Sequence, residues 1–160
     1  MKISTVLTMV AIFIFARPAF SQMQKLGPKE SFSAARLSPA EAHEIITAVE
    51  DSAFDTPDSW SEELLIRRVR LGDVDGMVVQ GSKLLCGATG NCQTWVLRRV
   101  DGKWASLFPP GDQAPIVDKF QLGPGATGGI KDLCVESNSS ADAEVRVKYK
   151  FDGKFYRPRS

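Results

Sequence analysis

The chain has 160 residues, 43% hydrophobic and 24% charged, with 20 basic against 19 acidic side chains. That length suits one domain with a sizeable core and is too short for two. The near-balance of charge gives no reason to expect a nucleic acid or a membrane surface as partner.

The first residues read as an address. Met1-Lys2 is a short positive start, residues 3–16 are an apolar run too short to span a bilayer comfortably, and Ala19-Phe20-Ser21 sets small residues before a cut at Gln22. The expectation is an export signal over residues 1–21, a periplasmic or extracellular protein, and no membrane span once the signal is removed. Loss of Lys2 and Arg17 leaves 18 basic against 19 acidic side chains. Residues 22–36 show no sustained period and carry Gly27-Pro28, so they read as a flexible leader to a single β-rich domain over residues 37–160.

Ser38-Pro39-Ala40-Glu41 has capping-box spacing with proline at the first helical position, which predicts a helix over residues 39–52. Ala42, Ile45, Ile46, Val49 and Ala53 form its apolar stripe. His43, the only histidine, reads as an exposed helix residue, since no ligand motif accompanies it. Residues 54–61 read as a linker.

From there the pattern becomes short strands separated by Gly and Asp. WVLRRVDGKW (95–104) aligns without a gap to RVKYKFDGKF (146–155), each predicting a hairpin around a shared Asp-Gly-Lys turn. LLIRRVRL (64–71) and IVDKFQL (116–122) extend the correspondence backward. The predicted fold is therefore mainly β with one N-terminal helix. Two repeats of about four antiparallel strands, over residues 64–108 and 116–156, form a sandwich or partly closed barrel. In the second repeat Val145, Val147, Tyr149 and Phe151 alternate with Arg146, Lys148 and Lys150, so one face is apolar and the other basic. In the first, Trp95 and Leu97 fall where the second has Arg146 and Lys148, and the helix is the surface left to cover them.

Cys86 and Cys92 flank Gly87-Ala88-Thr89-Gly90-Asn91 between two strands. In an exported protein they are expected to form a disulfide, contributing about 2.4 kcal/mol by chain entropy. Zinc would need more ligands than two thiols, and a phosphate loop would need Gly-Lys-Ser/Thr after the glycines. Cys134 lies in the apolar alternation Ile130, Leu133, Val135 and reads as a buried free thiol.

CGATGNCQTW (86–95) together with KYKFDGKFYR (148–157) resembles a family of small exported bacterial domains that carry a CGxxGNCxxW-type hairpin and a terminal Y-x-F-D-G-K-x-Y strand pair. The resemblance covers about residues 64–157 and implies a domain type, without an activity, a ligand or a catalytic residue. More loosely, residues 71–76 are similar to the calcium-loop repeats of propeller blades, keeping Asp73, Asp75 and Gly76 but with Leu71 at the first ligand position. Calcium takes six or more oxygens, and an Asx-type turn is the competing reading.

Three functions fit these residues. The first is an exported non-catalytic binding module without a cofactor, an inhibitor or envelope-associated protein, taking an anionic protein or envelope polymer. Its surface is the basic stripe Arg146, Lys148 and Lys150, which Arg68 and Arg70 join if the two repeats fold onto each other; a solvated face that deters edge pairing is the competing reading. The second is a carboxylate-based hydrolase using Asp73, Asp75 or Asp132. The third is a calcium-stabilised structural domain held by Asp73 and Asp75.

Overall fold

The computed structural model describes residues 26, 28–49, 60–82, 85–110, 114–140 and 143–159. The expected export signal, the end of the expected helix and most of the linker lie outside them. Helix α1 (Pro39–Val49) begins as its capping box dictates, with the Glu41 amide donating to the Ser38 hydroxyl at 3.1 Å. A single turn, α2 (Trp60–Glu63), then leads directly into β2 (Leu64–Arg70).

Two antiparallel sheets follow. β1 (Glu30–Ser31), β2, β3 (Asp75–Gly81), β4 (Cys92–Val100) and β5 (Lys103–Ser106) pair in chain order, and β6 (Ile116–Val117) pairs with the start of β4. β7 (Lys119–Thr127), β8 (Ile130–Ser140), β9 (Ala143–Phe151) and β10 (Tyr156–Pro158) form the second sheet, also in chain order. This is the expected mainly β architecture with an N-terminal helix. No described helix is long and apolar enough to cross a membrane.

Three expectations need correction. The leader is structured from residue 28 onward in its last part: Glu30 and Ser31 pair with Ile66 and Leu65, and Phe32 is buried, because its ring adds to the core and β1 covers the edge of β2. Residues 116–122 are not one strand but two, β6 and β7, which break at Asp118 and belong to different sheets. The paired Asp-Gly-Lys turns also differ. Asp101 and Gly102 form a two-residue turn with both φ angles positive, as a primed turn requires, whereas β9 and β10 are joined by residues 152–155. There Asp152 accepts from the amides of Lys154 and Phe155, which holds its carboxyl below the usual range. The two halves thus share a four-strand meander but neither turns nor sheet partners, and a repeat in the strict sense is not established.

Strand alternation distributes the side chains over three layers. Trp95 and Leu97 pair with Val79 and Met77, and all four are buried on the face that carries α1. From α1, Glu41 meets Arg68 at 3.7 Å, Arg99 at 3.3 Å and the Trp104 indole nitrogen at 3.4 Å, which places the helix over that face. The opposite face carries Val78, Thr94 and Val96 toward the second sheet, where Arg98 stacks over the Phe151 ring at 5.4 Å. Phe120, Leu122, Leu133, Val135, Phe151 and Tyr156 complete this inner layer. The helix therefore covers the two residues that alternation left on the nominally wet face. Trp95→Ala should destabilise the protein by about 3–5 kcal/mol, as large-to-small core substitutions do. Urea denaturation measures this, and a loss below about 1 kcal/mol would mean the Trp95 face is not covered.

Candidate functional site

On β9, Val147, Tyr149 and Phe151 turn to the core, so Arg146, Lys148 and Lys150 turn outward. Across the register, Arg146 faces Glu136 and Lys148 faces Cys134 on β8; those two face Lys119 and Gln121 on β7. Residues paired in this way share a sheet face. The outer face of the second sheet is thus a lattice of polar and charged groups with no described layer packed over it.

Its organising group is Glu136, the one charged residue in the buried class among the described residues, at 4% exposure. A carboxylate so enclosed must be paired. Arg146 hydrogen-bonds it from one side and Lys119 lies 3.4 Å away on the other. Lys119 also meets Glu144 at 2.8 Å, a bond that raises the lysine pKa and lowers that of the glutamate. Glu136 in turn holds Arg146 firmly protonated.

Beside this cluster runs a groove of about 490 Å³. The residues 123–125 of β7 form one wall, Asp132 and Cys134 of β8 line it, and Arg146, Lys148 and Arg159 stand at the other side. The register of β7 against β8 slips between Leu122 and Ala126, and the glycines of that bulge admit a neighbour. A Cβ on Gly125 would come within 2.4 Å of Asp132 Oδ2. The other oxygen, Asp132 Oδ1, is buried without a hydrogen-bond partner among the described residues. Cys134 is free and 5% exposed, and burial raises its thiol pKa, which suits a packed thiol rather than a nucleophile. A second, outer groove of about 450 Å³ adjoins the first and shares Arg146, Lys148 and Arg159.

The other expected site residues lie elsewhere. Arg68 and Arg70 do not join the stripe: they sit on β2, where Arg68 is drawn to Glu41 and Arg70 to Asp75 at 2.9 Å. Arg70 also donates to the carbonyls of Gly72 and Asp73, at 3.1 and 2.9 Å. The residues 71–76 are thereby organised around a guanidinium, which takes oxygens that a calcium ion would require. Among the described residues no group of three or more His, Cys, Asp and Glu is placed to hold a metal ion. Asp132 lies in the groove on β8, on a different element from Asp73 and Asp75, and His43 is exposed on α1.

Cys86 and Cys92 are joined as a disulfide, and the loop between them docks through Asn91. That side chain is 7% exposed and exchanges two hydrogen bonds with the Asn138 backbone, at 2.7 and 2.9 Å. The cysteine loop is a staple on β4 that also clasps the end of β8.

Arg159 and Glu136 were not singled out from the sequence. Glu136 shares the outward parity of Asp132 and Cys134, and Arg157 and Arg159 continue an alternation past Tyr156, so a signal existed for both. Comparison with protein-family models, with curated proteins and with solved structures finds no match for this chain.

Glu136→Gln keeps the shape of the side chain but removes the charge that Arg146 and Lys119 share. It should cost about 1.5–3 kcal/mol, the range for hydrogen bonds to charged groups. Chemical denaturation reads the change; an unaltered midpoint would show that the cluster contributes nothing to the fold.

Proposed function

We propose that the protein is an exported, non-catalytic binding module that holds an anionic partner, an acidic protein or an envelope polymer, on the outer face of its second sheet. The supporting observation is a groove bordered by cations that are not internally neutralised. Lys148 and Arg159 line it and have no ion pair among the described residues, while Arg146 is braced in place by Glu136. Cations arranged in a concavity raise the local concentration of an oppositely charged ligand and speed its association. Export is supported by the disulfide, which suits an oxidising compartment, together with the signal-like first 21 residues.

The test is binding to a soluble polyanion, with heparin as the probe, at low and at physiological salt. Lys148, Lys150 and Arg159 are reversed together to Glu; Arg146 is spared because it neutralises buried Glu136. Wild type should bind at low salt and weaken as salt rises, since screening shortens the reach of exposed charge to about 8 Å at physiological ionic strength. The triple variant should associate more slowly while melting within a few degrees of wild type. Equal association for both proteins at both salt concentrations would return the stripe to a solvated sheet face.

A further inference from the structure

We infer that the anionic partner binds as an added strand: an extended polypeptide segment alternating acidic and apolar residues pairs with the open edge of β9. The inference rests on the binding-module reading above and specifies how the partner is held.

The register decides which backbone groups are free. The Arg159 amide donates to the Lys148 carbonyl at 2.7 Å, so the main-chain groups of Lys148 point away from β8 and toward β10. In an antiparallel ladder this direction alternates every residue, and the groups of Arg146 and Glu144 therefore point the same way. Strand β10 pairs only with residues 149–151 of β9. Past Arg159, no described residue pairs with the amides and carbonyls of Arg146 and Glu144. They form a short open template of the kind that accepts a further strand.

Side chains along this edge state what the strand should carry. Val145 is 46% exposed and Val147 is partly buried, so on the inner side of the edge an incoming strand would find apolar surface. On the outer side Arg146, Lys148 and Arg159 border the open groove of about 450 Å³. Glu144 on that side is already held by Lys119 at 2.8 Å, so, because strand side chains alternate, a segment with acidic residues toward Arg146, Lys148 and Arg159 and aliphatic ones between would meet both sides in register. A second copy satisfies this edge less fully: pairing β9 with itself through the free groups would set Glu144 opposite Arg146 but bring no anion to Lys148 and Arg159, which have no ion pair among the described residues.

The probes are a capped pentapeptide alternating glutamate and valine, two N-methylated versions of it, and heparin. One version is methylated on the amides of the glutamates and the other on those of the valines. Only one set of amides can face β9, so N-methylation of that set should weaken binding by about tenfold or more, while methylation of the other set should leave it close to unmodified. Glu144→Pro removes an edge-facing amide and should also weaken the peptide, whereas Glu144→Gln, which loses the same charge, should not; heparin should be indifferent to the difference between them. If both methylated peptides bind as the parent does, strand addition is overturned and the anionic reading stands. If heparin binds and the parent peptide does not, strand addition is likewise overturned. Should neither bind at low salt, the binding-module reading falls and this inference with it. Sedimentation of the free protein as a dimer that Glu144→Pro converts to monomer would assign the edge to a second copy and overturn the acidic-peptide proposal.

Discussion

Tyr156 joins the two sheets at three points at once. Its amide donates to the Leu107 carbonyl at 2.7 Å, its hydroxyl donates to the Lys131 carbonyl at 2.7 Å, and its ring packs against Phe108 and Phe151. The side chain is 1% exposed, and burial keeps the phenol protonated far above its ordinary range. A buried hydroxyl requires such a partner, and aromatic contacts of this kind add to the area they bury. Since the amide of Tyr156 is turned to the first sheet, those of Arg157 and Arg159 are turned to β9. The clamp therefore fixes the strand parity that sets Arg159 beside Lys148.

The same constraint limits the cover that β10 gives. Pro158 stands opposite Tyr149 at a position whose amide would face away from β9, so proline costs no ladder bond there. With β10 only three residues long, β9 is paired on both sides near Phe151 and on one side near Val145. The basic groove and the open edge then occupy the same stretch of strand. A sheet packed on one face by the first sheet, and on the other by no described element, concentrates its recognisable chemistry on the uncovered side.

How much of this was legible in the sequence follows from range. The capping box at Ser38, the primed turn at Asp101-Gly102 and the alternation over residues 145–151 are local signals, and each corresponds to what is observed. The disulfide was legible because its ring is local as well. By contrast, the break at Asp118 depends on two sheets competing for one stretch of chain, and nothing in residues 116–122 states which sheet each half will join. Burial of Phe32 was hidden by the polar residues around it, since one aromatic ring carries the segment. Arg68 and Arg70 share a residue type with the stripe but not its environment: Glu41 and Asp75 reach them first. Glu136 is the opposite case, a carboxylate in a strand that reads as core, whose partners come from two neighbouring strands.

Strand addition requires the outer edge of β9 to be open in the free protein. Amide hydrogen exchange followed by NMR tests this residue by residue, because protection reports which amides are bonded. An open edge gives fast exchange for the amides of Glu144 and Arg146 and slow exchange for those of Val145 and Val147, which face β8, with Glu144 and Arg146 becoming slow when the acidic peptide is added. Protection of Glu144 and Arg146 already present in the free monomer would contradict it.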